Sequence, residues 1–251
     1  MRIISRMNVG GPARHVTILH SGLDPERFES ILVYGEEGSA EGSLRNLLDD
    51  ATNTITIPHL GREIAPVADS VTVTQLVRLM REFKPDIVHT HTAKAGFVGR
   101  LAARISGVPV IVHTFHGHVF HGYFSPRKTA VFLRLERFCA GLSSRLVTIS
   151  PRLRDEIAGY GVADASRIEV VPLGLRLQPH GNHPRRTGAF RRPLGIPEDA
   201  LLIGAVGRLV PIKNLGLLLE AAHIAQADIP NVQVVFVGDG ELREDLSLQA
   251  A

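Results

Sequence analysis

The chain has 251 residues, enough for one large α/β domain or for one domain and part of another. An apolar fraction of 44% supports a packed core, while a formal net charge of +3 is too small to call for a nucleic-acid partner. No apolar run nears the roughly 20 residues a membrane-spanning helix needs. The single cysteine, Cys139, excludes an internal disulfide framework and fits a reducing cytoplasm.

Short apolar runs alternate with longer amphipathic ones, which predicts a parallel sheet covered by helices on both faces. The first strand is expected at Arg2–Arg6 rather than a signal peptide. Further strands are expected near Ser30–Tyr34, Thr54–Ile57, Asp86–Thr90, Val110–Thr114, Arg145–Ile149 and Ile168–Val171. The intervening helices fall near Pro12–Ser21, Gly42–Asp49, Val71–Phe83, Ala95–Ile105, Arg127–Ala140 and Pro151–Tyr160. Ser150-Pro151 places a capping hydroxyl before a proline at the first helical position, where a missing N–H costs nothing. Cys139 sits in an apolar helical run and reads as core rather than nucleophile.

The regular pattern stops after Pro172. Residues 173–199 are rich in Pro, Gly and Arg, and their Arg185-Arg186 and Arg191-Arg192 pairs read as a solvated linker. Alternation resumes with a strand at Leu201–Val206, a helix at Leu215–Ala227 and a strand at Val232–Val237. The expected organisation is therefore a full domain over 1–172, a linker over 173–199 and the beginning of a second domain over 200–251. Two strands cannot close such a core alone, so the chain reads as a truncated fragment.

Three places carry candidate chemistry. The first strand runs into Gly10-Gly11-Pro12, where two glycines either make a tight turn or let a ligand approach the backbone. This is not a G-x-G-x-x-G fingerprint, and no acidic residue is placed for a nicotinamide ribose. His113, His116, His118 and His121 crowd the segment after the fifth strand. No cysteine or carboxylate lies close enough in sequence to complete a metal site, so no metal is expected. His116 and His118 should emerge at the ligand-facing edge, with His89-Thr90-His91 facing the same rim; ordinary loop histidines are the alternative. Finally, Arg208 and Lys213 occupy one strand-to-helix turn, Val206–Asn214, of the kind where open α/β sheets bind ligands. A planar fork and a point charge near a helix N-terminus suit a diphosphate, unless both are simply solvated loop cations. The Arg127–Ala140 helix mixes apolar and basic residues, which fits either packing on the sheet or lying on an anionic membrane surface.

Taken together, Asn8-Val9-Gly10-Gly11-Pro12-Ala13, Asp86-Ile87-Val88-His89-Thr90-His91, Thr114-Phe115-His116-Gly117-His118, Glu136-Arg137, Arg145-Leu146-Val147-Thr148-Ile149-Ser150, Val171-Pro172-Leu173-Gly174, Gly207-Arg208-Leu209-Val210-Pro211-Ile212-Lys213-Asn214 and Val237-Gly238-Asp239-Gly240 resemble the glycosyltransferases of family 4 in the family's order. The resemblance implies the GT-B fold of two Rossmann-like domains, the first on the acceptor side. It also implies sugar transfer with retention from a UDP- or GDP-linked donor to a glycan or lipid-linked acceptor, in cell-envelope or exopolysaccharide synthesis, without a cofactor. The setting would be cytoplasmic, with a peripheral inner-membrane surface as a further partner and no nucleic acid. By the same resemblance Arg208 and Lys213 hold the donor diphosphate, Gly10 and Gly11 approach the donor, His116 lies at the reacting sugar, and His89 and His118 stand on the substrate side. The family's pair of glutamates in the second domain has no match after Leu242, since Glu241 and Glu244 belong to the helix following the last strand. Two other readings share the pattern: a nucleotide-sugar 2-epimerase of the same fold, and a non-catalytic binding or accessory module.

Overall fold

The computed structural model of the protein describes residues 1–38, 42–48, 53–61, 65–118, 120, 125–174 and 188–250. It divides into two compact units, Met1–Arg176 and Leu177–Ala251. His121 and the Arg185-Arg186 pair lie outside the described residues.

In the first unit, β-branched and aliphatic runs form strands β1 (Arg2–Arg6), β2 (Leu32–Gly35), β3 (Thr54–Thr56), β4 (Ile87–His91), β5 (Val110–Phe115), β6 (Arg145–Thr148) and β7 (Ile168–Val170). All pair in parallel, in the order β3-β2-β1-β4-β5-β6-β7. The order reverses between β1 and β4, so a crevice opens beyond their carboxyl ends, the place where doubly wound sheets take ligands. Helices α1 (Gly11–Ser21), α2 (Pro66–Phe83), α3 (Ala93–Ile105), α4 (Pro126–Leu142) and α5 (Pro151–Gly159) connect the strands. Ile3, Val33, Leu76, Val88 and Val98 form one core layer, and Ile4, Val16 and Leu32 belong to another. Cys139 is buried, and burial raises its thiol pKa to about 11, as a core role requires.

Helix ends follow local chemistry. Ser150 Oγ accepts the Leu153 N–H at 3.2 Å, capping α5 as its sequence implies. Helix α2 starts five residues before the expected Val71, because Pro66 suits a first turn and Asp69 Oδ2 accepts the Ala65 N–H at 3.1 Å. The expected helix over Gly42–Asp49 is not formed; only a 3-10 turn, Arg45–Leu47, is present, with Asp49 outside the described residues. Ser43 bridges Asn8, and the Leu44 N–H bonds the Met7 carbonyl at 2.6 Å, so the loop after β1 takes backbone groups that a helix would have used.

In the second unit, β8 (Leu201–Val206) and β9 (Val232–Val237) pair in parallel, flanked by α6 (Leu215–Ala225) and α7 (Arg243–Gln249).

Candidate active site

The crevice of the first unit is lined by imidazoles. His91 ends β4 and lies opposite Ile4 of β1 and Thr114 of β5. His116 follows β5 directly, and His15 projects from the inner face of α1, one turn past Gly11. The His91 Nδ1 to His116 Nε2 distance is 3.0 Å, and the His15 and His116 rings are 5.2 Å apart, edge to face. Among the described residues, His15 Nδ1, His91 Nε2 and His116 Nδ1 are buried without a hydrogen-bond partner.

These rings are neutral at ordinary pH. Burial, then the neighbouring His15, lowers the His116 pKa to about 4. Burial first, and the adjacent His89 and His116 next, put His91 well below the usual imidazole range. Burial and then Arg2 lower His15. Between two neutral rings one nitrogen must donate and the other accept. If His116 Nε2 donated, the fully buried His91 would carry an orphaned N–H, the rarer and costlier kind of unsatisfied group. The opposite arrangement leaves His91 Nε2 as a bare acceptor and moves the unmatched N–H to Nδ1 of His116, whose ring is only partly buried and borders a cavity where a ligand can accept it. The cluster can therefore donate a hydrogen bond to a neutral oxygen without carrying charge.

A cavity of about 250 Å³ adjoins the cluster, bordered by Pro12, Thr92, His116, His118, Phe132 and Glu136. Thr92 holds a positive φ of 67°, which is strained for a β-branched residue. Its hydroxyl lies 2.7 Å from Ser5 Oγ, tying the ends of β1 and β4 together. Glu136 meets the fully buried Arg100 at 2.8 Å and closes the floor.

The structure separates the candidate histidines. His118 stands on the cavity wall, but both its nitrogens are engaged: Nδ1 accepts the Phe120 N–H at 3.3 Å, and Nε2 faces Glu156 Oε2 at 3.1 Å. It offers a ligand no free donor, and its ring stacks on Phe120 with centroids 5.2 Å apart. His89, expected at the rim, lies mid-strand instead; its Nε2 pairs with Thr114 Oγ1 at 2.8 Å, and it faces a cavity at the other edge of the sheet. His113 turns to the opposite sheet face, bonding Thr90 Oγ1 at 2.9 Å in the core. His15 was not singled out from sequence, although its position four residues past Gly11 places it on the helix face that follows the glycine loop. Among the described residues, no group of three or more His, Cys, Asp or Glu side chains is arranged to hold a metal ion.

Gly10 has an extended φ of 170°, open to any residue, and a Cβ on Gly11 would touch nothing within 4 Å. The fold does not demand either glycine, which favours the ligand-loop reading over the tight turn.

In the second unit, Arg208 and Lys213 are both exposed, and their side chains have no hydrogen-bond or ionic partner among the described residues. They flank a turn that follows β8 and passes through a 3-10 segment, Pro211–Lys213. Asn214 is left-handed at φ 47° and makes no side-chain cap, and α6 begins at Leu215 as expected. The turn is pinned by the glycines after β9: Leu209 N–H bonds the Asp239 carbonyl at 2.9 Å. A Cβ on Gly238 would come within 1.9 Å of the Gly207 carbonyl oxygen, and one on Gly240 within 2.3 Å of that of Leu209. Gly238 and Gly240 are therefore needed for backbone contact with the cationic turn.

Two family profiles match along this chain, that of Glycosyltransferase Family 4 over residues 9–178 and that of Glycosyl transferases group 1 over residues 187–251. The chain belongs to glycosyltransferase family 4. Over 226 residues, 89% of its length, it is 34% identical to an Escherichia coli UDP-Gal:alpha-D-GlcNAc-diphosphoundecaprenol alpha-1,3-galactosyltransferase, of which it spans 57%. The fold of this family 4 chain resembles that of Anabaena HepE, solved in complex with UDP and glucose, with a TM-score of 0.74 at 20% identity over 99% of this chain and 64% of the other. It resembles less closely the UDP-N-acetylglucosamine 2-epimerase of Rickettsia bellii, with a TM-score of 0.57 at 13% identity over 100% of this chain and 64% of that one. The sheets and helices described above are thus those of an α/β protein of the GT-B type.

Proposed function

We propose that the protein transfers a sugar, with retention of anomeric configuration, from a UDP- or GDP-linked donor to a glycan or lipid-linked acceptor in cell-envelope or polysaccharide synthesis. The observation that carries this reading is the unpartnered pair Arg208 and Lys213 on a glycine-pinned turn at the end of β8. A nucleoside diphosphate leaving group gains negative charge as the glycosidic bond breaks, and fixed cations favour that state over the bound substrate. In this scheme residues 200–251 contribute to the donor side and residues 1–172 to the acceptor side, with 173–199 linking them. Gly10 and Gly11 leave room for the donor, and His116 Nδ1–H donates to a hydroxyl of the reacting sugar. His118 borders the substrate as part of the cavity wall, and His89 supports the strand behind it. The 34% identity to an enzyme that acts on a diphosphoundecaprenol-linked sugar supports a lipid-linked acceptor, met at the cytoplasmic face of the membrane.

Both matching profiles are those of transferases, which favours transfer over 2-epimerisation. Calorimetric titration of the chain with UDP and GDP tests the site. Arg208→Ala and Lys213→Ala should each weaken binding on the order of tenfold or more, the loss of one charge-assisted contact. Unchanged affinity in both variants would leave these residues as solvated loop cations and remove the assignment.

A further inference from the structure

At the other edge of the first unit's sheet, before β1 and β4 begin, lies a cavity of about 560 Å³. Its lining includes Arg2, His20, Arg27 and Lys84, together with Glu29 and Asp86. Arg2 is the unusual member. It projects from β1 on the face covered by α1, in register with His89, and its Nε and Nη1 are buried without a partner among the described residues. His20 Nδ1 is likewise buried and unpartnered. A guanidinium keeps its charge even here, because burial lowers its pKa only to about 10. Neither Asp86 nor Glu29 forms an ion pair with it among the described residues. Charges withdrawn from solvent are ordinarily paired, and this partly buried one has two enclosed nitrogens without a partner. Its uncompensated charge is felt by the rings around it, since Arg2 contributes to lowering His15, His20, His89 and His91.

We propose that this cavity binds an oxyanion, a phosphate or carboxylate group carried on a small organic molecule, with the Arg2 guanidinium as its principal partner. A planar fork with free N–H groups is the side chain best shaped for such an anion. Arg27 and Lys84 flank it, while Phe28 and Phe83 on the same wall give an apolar body somewhere to lie. The site is distinct from the crevice holding His116 and does not depend on the sugar-transfer reading.

The test titrates the full chain with inorganic phosphate and, separately, with acetate, against chloride at matched ionic strength, following the imidazole NMR signals of His20 and His89. Saturable movement of both signals is expected, since the anion neutralises the charge beside them. Saturation by phosphate alone identifies a phosphate site, and saturation by both anions a general oxyanion site. Arg2→Lys should weaken the titration by about tenfold and Arg2→Met should abolish it, while Arg208→Ala leaves it unchanged. Without added anion, Arg2→Met should melt no lower than the wild type, because it removes a charge that has no partner. Absence of saturable movement in the wild type would overturn the proposal. So would an unchanged titration in Arg2→Lys, or an anion-free Arg2→Met protein that fails to fold.

Discussion

Replacing Glu136 by Gln tests how the first unit carries charge in its interior. Arg100 on α3 is 0% exposed; its Nη2 meets Glu136 Oε2 at 2.8 Å, and its Nε donates to the Gly96 carbonyl at 2.7 Å. Glu136→Gln preserves shape and one oxygen acceptor but removes the only carboxylate paired with that guanidinium among the described residues. Breaking a buried pair costs about 3–5 kcal/mol, and the retained acceptor argues for the lower end, about 3 kcal/mol. For a unit of this size each kcal/mol lowers Tm by about 2–4 °C, so a drop of about 6–12 °C is expected in calorimetry or circular dichroism. Arg100→Met with Glu136→Leu removes both charges and should recover most of the loss, because an apolar replacement of a whole buried pair is often neutral. A single variant that loses under about 1 kcal/mol, or a double variant no more stable than the single, would refute this account.

The buried histidines make the first unit sensitive to acid. Folded pKa values near 4 for His20 and His116 and near 3 for His89 lie below the unfolded value of about 6.5. The unfolded chain therefore takes up protons first, so stability is full above pH 6.5 and falls as pH drops toward 4, by up to about 1.4 kcal/mol per pH unit for each such ring. Urea melts from pH 8 to pH 5 check this, and a flat profile would show that the rings are not held neutral. Helix α4 presents Val131, Leu135 and Phe138 outward beside the exposed Arg127 and Arg134, although its other face is packed in the core. Co-sedimentation with phosphatidylglycerol vesicles is expected at low salt, with release at high salt and weaker binding in Phe138→Ser. No binding at low salt would reject a membrane-facing role.

Strand and helix alternation was legible because period-two and period-3.6 patterns are local. The expected Gly42–Asp49 helix failed where a distant partner decided the outcome. Gly42–Leu48 spends its backbone groups on Met7, Asn8 and Val9 instead of a helical ladder. Among the histidines, sequence singled out His116 and the His89–His91 segment, but not which ring of that segment meets His116, nor that His15 joins them. His89 and His91 share a sheet face, and only cross-strand register shows that His91 reaches the crevice while His89 remains mid-strand. Sequence patterns also could not show that Gly238 and Gly240 serve the turn holding Arg208, since the close approach joins two strands about thirty residues apart.

The two units concentrate different kinds of polar chemistry, and the proposed reaction explains why. A departing diphosphate calls for fixed positive charge, which on the proposed reading comes from Arg208 and Lys213, exposed on a turn held by close backbone contact with Gly238 and Gly240. The sugar side has other requirements. Bond breaking leaves the anomeric carbon electron-poor, and a cationic imidazole beside it would oppose that charge while adding nothing that a neutral N–H donor lacks. Packing His15, His91 and His116 against one another in a buried crevice keeps His116 uncharged, and engaging its Nε2 with His91 leaves Nδ1 without a protein partner. Acid sensitivity is the cost of that arrangement: the burial that makes His116 a neutral donor also lets protons favour the unfolded chain. A variant that relieved the acid sensitivity by exposing His116 would raise its pKa toward 6.5 and, on this reasoning, place positive charge on the sugar side as the pH fell.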